Sequence, residues 1–384
     1  MLADILLKLG FLSLPTSISG AEAALGLLII MAFIKVFRTK DYSILKKGFF
    51  IFYISMIAMV VISAFTGIDT KESLRRLSSP WVLMYLPVLY VIFEGKDKIT
   101  YLMFMFTGGM LSTFYGFYRY FFDHQLRMKG FLTHALTYGN VTALVCITAL
   151  GVLLFKVYEK RSHKYITLAA LIICTVGLIM SGSRGPILSF AICALAMVIY
   201  RFRWRGVIAG LLLFALFSGV IYSAPSVNKR FVGTFANIDK PKSSIGTRLI
   251  LWDATSQAIM VRPFFGYGSG NFRKVISEYV KVPVASRAHA HNTYLQYTFL
   301  HGFFGLAALL GFLGSLMWEI LRRRRSSGLI KVSIFVLLLF MLEGLTENAL
   351  GDSEVVMVCL AVIGLALAPG RPAITAKKTS TEAE

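Results

Sequence analysis

The chain has 384 residues, of which 57% are hydrophobic and only 15% charged, and its formal net charge is +21. A helix needs roughly 20 apolar residues to cross ~30 Å of hydrocarbon, and the apolar runs here are too long and too many for a soluble core. That excludes a soluble globular domain. It also means the basic excess must be assigned to sides of a membrane before any partner is read from it.

In chain order, apolar spans are expected near residues 3–17, 19–37, 48–67, 78–94, 99–121, 134–155, 165–181, 185–200, 206–223, 293–318, 329–346 and 354–369. Lys8 and Pro15 interrupt the first; a cleaved signal peptide is the competing reading there, opposed by Asp4 and the lack of a basic start. The expectation is an all-α, multi-spanning membrane protein with about twelve spans, or eleven without the first. Four parts follow: N-terminal spans in 1–223, a long loop in 224–292, C-terminal spans in 293–370 and a tail in 371–384 expected to be disordered.

Basic clusters fall on alternate connections. They comprise Lys35, Arg38, Lys40, Lys46 and Lys47; Lys156, Lys160, Arg161 and Lys164; Arg201, Arg203 and Arg205; Arg322 to Arg325 with Lys331; and Arg371, Lys377 and Lys378. The positive-inside rule makes that side cytoplasmic, with both termini. The clusters read as topology signals and contacts for anionic membrane lipids, not as a nucleic-acid surface. The connections Ile68–Leu77, Phe122–Thr133, Ser181–Arg184, Ala224–Ala290 and Thr346–Ser353 then lie outside. Cys146, Cys174, Cys193 and Cys359 all fall inside spans, as small apolar packing residues.

The Ala224–Ala290 loop carries ten Lys/Arg against three Asp/Glu. An anionic substrate and contact with outer head groups both account for that excess. Within the loop, Ile245–Met260 has helical periodicity, with Ser244 or Gly246 as cap and Arg262-Pro263 as its end. Arg248, Trp252 and Thr255 share one face. Arg248 offers a planar fork for phosphate oxygens; stacking on Trp252 is its other reading. Gly266-Tyr267-Gly268-Ser269-Gly270 follows no strand, so it reads as a turn-rich segment for close backbone packing rather than a nucleotide loop. Lys240, Lys242, Arg273 and Lys274 read as solvated surface.

Two further motifs flank this loop. Ser181-Gly182-Ser183-Arg184-Gly185-Pro186 joins two spans with almost no connection. Ser183 is placed to cap the next helix, and a helix start beside Arg184 suits an anion; a tight turn with a snorkelling arginine is the plainer reading. His289-Ala290-His291-Asn292 leads into the span at 293. Imidazole titrates nearest neutrality and suits removal of a hydroxyl proton, with Asn292 beside it to orient the ring. A metal at His289-x-His291 would need further ligands, and none lies nearby in sequence. No metal or cofactor is expected. His134, Tyr138 and Asn140, at the outer start of another span, are candidates to line an acceptor site. Arg75 and Arg76 are candidates for acceptor phosphates or for anchoring. Glu343, Glu347, Asp352 and Glu354 crowd one outer connection, and nothing in the sequence picks which of them orients His291.

The ordered set Ser-x-Ser-Arg-Gly (Ser181–Gly185), Gly-x-Arg-x-x-x-Trp (Gly246–Trp252), Pro-x-x-Gly-x-Gly-x-x-x-Phe (Pro263–Phe272) and His-x-His-Asn-x-x-Leu (His289–Leu295) resembles the O-antigen ligase and polymerase superfamily. The resemblance implies a GT-C-like, inverting, metal-independent glycosyltransferase of the inner membrane. Its donor would be a glycan on undecaprenyl diphosphate, and a ligase's acceptor the lipid A-core oligosaccharide. Residues matching Arg184 and Arg248 would hold the diphosphate, and that matching His291 would be catalytic. The Arg248 and His291 regions and the compact outer loops favour ligase over polymerase. A lipid-sugar carrier is the reading from another class, but polar residues concentrate at the outer ends rather than along a route through the bilayer.

Overall fold

The computed structural model describes residues 2–77, 79–93, 97–223 and 240–369, and no strand occurs among them. Residues 224–239 of the long loop and the tail at 371–384, with Arg371, Lys377 and Lys378, lie outside the described residues. Fifteen described helices follow one another: α1 (Leu2–Ser13), α2 (Ile18–Thr39), α3 (Gly48–Thr66), α4 (Thr70–Arg75), α5 (Tyr85–Ile92), α6 (Lys98–Phe122), α7 (Ala135–Leu154), α8 (Arg161–Met180), α9 (Arg184–Phe202), α10 (Trp204–Ser223), α11 (Ser244–Val261), α12 (Phe272–Tyr279), α13 (Thr293–Arg322), α14 (Gly328–Thr346) and α15 (Ser353–Leu367). Their starts follow local chemistry. Ser17, Asp69, Asp97, Ser243, Asn292 and Ser327 each accept a backbone N–H of the first turn through the side chain.

Seven of these helices, α2, α3, α7, α8, α9, α13 and α14, are long and apolar enough to cross a membrane. Helical structure also covers the remaining expected spans. The run at 78–94 is less regular than expected: a 3₁₀ turn at Ser79–Met84 precedes the eight-residue α5. Proline at 80 and at 87 removes N–H donors from that stretch, which favours the short tight segments seen.

The centre of the bundle is α7 with α14. Their apolar windows are 83% and 67% buried, against 28% for α2 at the periphery. Glycine lets these helices approach closely. A side chain at Gly139 would press on Ser183 and Pro186 of the α9 start, and one at Gly151 on Val332 of α14. Tyr138 and Asn140, expected at an acceptor surface, are instead each only 1% exposed in this packing. The Tyr138 hydroxyl shares a 2.9 Å hydrogen bond with Thr113. All four cysteines are buried and unpaired, as expected of packing residues.

The two ends of the bundle differ in charge chemistry. At one end, Lys98 and Arg323 donate to the last carbonyls of the α15 end, at Ala368 and Leu367. Arg201 donates to Leu154 at the end of α7. Cations drawn from separate connections thus satisfy helix C-termini at that end. The outer connections named from the sequence meet at the opposite end, through contacts such as Arg127 to Ser181, Ile68 to Tyr267 and Arg248 to Glu347.

One break in the bundle was not expected. The run 293–318 reads as a continuous span, yet Gly302 inside α13 has φ 69° and ψ −173°. The break frees carbonyls that a straight helix would use. Tyr267 and Gly268 donate to Phe299 and Leu300 at 3.0 and 2.9 Å, and Phe303 donates to Pro263 at 2.7 Å. The Pro263–Gly270 ribbon therefore docks into the helix break by backbone hydrogen bonds, which satisfies the carbonyls the break frees. Gly266, Gly268 and Gly270 all have positive φ, so the close-packing reading of that ribbon holds. A Cβ at Gly302 would overlap the Phe264 carbonyl. Gly302→Ala is expected to cost more than the ~1–3 kcal/mol of a strained backbone conformation. It should lower the thermal midpoint of the detergent-purified protein by several degrees or prevent its accumulation; an unchanged midpoint would contradict the docked-ribbon account.

Candidate active site

At the end of the bundle opposite the basic connections α14 stops at Thr346, and the residue after it, Glu347, becomes the hub of a charged cluster. His291 Nδ1 lies 2.8 Å from Glu347 Oε1, and Arg248 Nη2 donates to Glu347 Oε2 at 3.2 Å. His289 Nδ1 is 3.5 Å from Oε1. Of the four acidic candidates in this connection, Glu347 is the one that meets His291. Glu343, one turn earlier, is buried with neither oxygen hydrogen-bonded among the described residues. Asp352 instead accepts from Thr137 at 2.7 Å.

Each partner is held by its own scaffold. Arg248 sits in the first turns of α11, whose cap is Ser243 rather than Ser244 or Gly246: the Ser243 hydroxyl accepts from Gly246 N–H at 3.0 Å. Ser244 lends its hydroxyl to Arg248 Nη1 at 2.8 Å. The helix ends at Arg262, as the following proline dictates. One turn along the same face, the Trp252 indole donates to the Ala290 carbonyl at 2.9 Å, so Trp252 fixes the histidine segment. Ala290 N–H in turn donates to Gln296 Oε1. Between these clamps His291 takes φ 51°, a left-handed conformation that costs a non-glycine residue energy and that surrounding structure must over-determine.

Asn292 does not orient the imidazole. Its Oδ1 caps α13 at Leu295 N–H, and its Nδ2 donates to Leu345 O on α14. With Thr293 Oγ1 donating to Glu347 O at 3.0 Å, it ties the start of α13 to the end of α14. His291 and Glu347 are thereby held in register across 56 residues of sequence.

The electrostatics are mutually consistent. Burial alone would raise the Glu347 carboxyl, but the His291 hydrogen bond and the electrostatic influence of the surrounding His291, His289 and Arg248 side chains outweigh it and hold it below the usual carboxylate range. Glu347 is therefore anionic at neutral pH. Burial first, then the neighbouring His291, pushes His289 down to about 4. His289 is neutral, and its Nδ1 accepts the His291 backbone N–H at 3.2 Å. With Nδ1 of His291 facing a carboxylate, the arrangement assigns the proton to Nδ1 and leaves Nε2 as the basic nitrogen. Arg248 Nε is buried with no hydrogen-bond partner among the described residues, a guanidinium donor left over beside the dyad.

His289, His291 and Glu347 could offer a cation three atoms within 4.8 Å of one another. Those same groups are engaged: His291 Nδ1 on Glu347, His289 Nδ1 on a backbone N–H, and Arg248 against the carboxylate. Glu347 thus supplies the carboxylate that the two histidines lack nearby in sequence, and that carboxylate also faces the Arg248 guanidinium.

Arg184 opens α9, and its neighbour Gly185 packs against Thr346, so a Cβ there would come within 3.0 Å of Thr346 Oγ1. The Arg184 turn therefore lies beside the end of α14, next to Glu347. Ser183 occupies the cap position but does not cap: its hydroxyl donates to Ala135 O at 2.8 Å and accepts from Arg127 Nη2 at 2.7 Å. Arg127 was not singled out from the sequence. It also donates to Ser181 O, bracing the turn that presents Arg184; a lone arginine in a short outer connection was its only signal. His134 stands exposed at the start of α7.

On the His289 side of the cluster lies a cavity of about 720 Å³. Its walls include His289 and Asn348, neighbours of His291 and Glu347, and it descends to His301 beside the α13 break. Arg76 and Arg273 line its rim, whereas Arg248 is not among its lining residues. Arg75 and Arg76 both pair with Glu72. Lys240, Lys242 and Lys274 are exposed, as expected of solvated surface.

Residues 169–310 match the family model described as O-Antigen ligase. The matched stretch encloses all four motifs, from the Ser181 turn to Leu295. No curated protein matches the chain.

Proposed function

We infer that this chain, which carries an O-antigen ligase family segment over residues 169–310, is a glycosyltransferase of the bacterial inner membrane. It works at the periplasmic face and moves a glycan from undecaprenyl diphosphate to the lipid A-core oligosaccharide. In this reading all twelve helical spans cross the membrane in a GT-C-like bundle, and the basic end with both termini faces the cytoplasm.

The observation that carries the reading is the convergence of Arg248, Glu347 and His291 on one corner, beside the Arg184 turn. An acceptor hydroxyl oxygen attacks the anomeric carbon as the bond from that carbon to the diphosphate oxygen breaks. The diphosphate leaves with the bonding electron pair, and the hydroxyl proton passes to His291 Nε2. Glu347 stabilises the imidazolium that forms, as a buried carboxylate does in other His–carboxylate pairs. Arg184 and Arg248, with its spare Nε–H, neutralise the charge growing on the leaving group. A single displacement inverts the anomeric centre, and no step calls for a metal.

Deleting the gene tests the acceptor assignment. Loss of a ligase leaves long polymer on the undecaprenyl carrier and bare core on the cell surface. Core that instead carries a single repeat would reassign the chain as a polymerase, which uses the same diphosphate corner and base.

A further inference from the structure

The mechanism uses the Arg248 side of His291 and leaves the cavity on the His289 side without a role. Its volume, about 720 Å³, lies within the ~300–1,000 Å³ of small-molecule sites. Its chemistry is mixed: the rings of Trp81, Phe272 and Tyr297 stand with the polar groups of Asn348, Arg76 and Arg273. A sugar ring has an apolar C–H face and hydroxyl edges, and aromatic rings beside planar polar groups meet both. A second observation points the same way. Tyr297 lines the cavity, and its buried hydroxyl has no hydrogen-bond partner among the described residues, although a buried phenol ordinarily finds one. Nearby, His301 Nδ1 is already committed to Ser63 Oγ at 2.6 Å, and its ring lies edge-on to Tyr297 with centroids 4.5 Å apart.

In-line displacement puts nucleophile and leaving group on opposite sides of the anomeric carbon. With the diphosphate at Arg248, the attacking hydroxyl must arrive from elsewhere around His291, and the cavity walled by His289 is the space there. Resting on the glycosyltransferase reading above, we propose that this cavity seats the terminal sugar of the acceptor. Trp81 packs against its ring, Tyr297 bonds a hydroxyl, and Arg76 and Arg273 receive anionic substituents at the rim. The acceptor is therefore read by residues separate from those that hold the donor.

The test uses the full-length purified protein in nanodiscs, with lipid A-core as acceptor probe and undecaprenyl-diphosphate glycan as donor probe. Direct binding of each is measured alone, and KM for each during transfer. Trp81→Ala should weaken acceptor binding and raise acceptor KM on the order of tenfold. Tyr297→Phe, which keeps the ring and the fold, should do so by roughly threefold to tenfold. Donor affinity should stay at the wild-type value in both. Unchanged acceptor binding in Tyr297→Phe and Trp81→Ala would overturn the proposal, as would a loss of donor binding with acceptor binding intact. Failure of the glycosyltransferase reading would look different: the wild-type protein itself would transfer no glycan.

Discussion

His291→Ala leaves a protein that inserts and folds but moves no glycan, so cells carry bare lipopolysaccharide core. A positioned base contributes roughly 10²–10⁴-fold to rate, enough to remove the product from a cellular assay. Folding should survive because the imidazole is one partner among several. Arg248 still neutralises Glu347, while Trp252 and Asn292 still clamp the segment through the Ala290 backbone and Leu345. Membrane abundance by immunoblot and glycan on the core by gel separate the two effects. Normal glycan on the core of this mutant would sink the catalytic assignment.

Glu347→Gln is expected to lower kcat by a factor on the order of 10²–10⁴ while donor KM changes little. The substitution is nearly isosteric but removes the charge that stabilises the imidazolium. It can also turn an amide N–H toward Nδ1, which forces the proton onto Nε2 and blocks the base. A purely structural Glu347 would instead show a lower melting temperature with kcat intact in the folded fraction. The pH dependence has a definite sign. Glu347 is held below the usual carboxylate range, so its stabilising contribution is present above the unfolded value near 4.5 and is lost as pH falls through the lowered folded value. His289, pushed down to about 4, adds stability above the unfolded value near 6.5 that is lost between there and pH 4. The wild-type protein should therefore destabilise on acidification through that window, and Glu347→Gln should lack the lower part of the loss.

Much of the fold is legible because each helix announces itself locally. Apolar runs of span length, and the Arg262-Pro263 stop of α11, lie within a few positions of what they determine. The break at Gly302 is different. It exists because the Pro263–Gly270 ribbon supplies partners for freed carbonyls from more than thirty residues away, and an isolated glycine in an apolar run carries no mark of that. The site divides the same way. Arg184, Arg248 and His291 stand out by residue type at membrane edges, whereas Glu347 was one of four equivalent carboxylates until α13 and α14 fixed their register. Asn292, adjacent to His291 in sequence, turned out to serve the helix cap, and Ser183 to serve Arg127 and Ala135. Tyr138 and Asn140 lie in the first turns of α7 but are packed inside the bundle, because the rotation of a helix that is apolar all round cannot be read from its periodicity.

The central claim is that His291, aligned by Glu347, is the base of a metal-independent transfer from an Arg-bound diphosphate. The most direct measurement is the initial rate of labelled-glycan transfer by the purified protein in proteoliposomes after exhaustive chelation, run beside His291→Ala. The account predicts a full wild-type rate after chelation and no transfer above background in the variant, with donor binding equal in the two. It is contradicted if His291→Ala transfers at the wild-type rate, or if the wild-type rate vanishes on chelation and returns with a divalent ion.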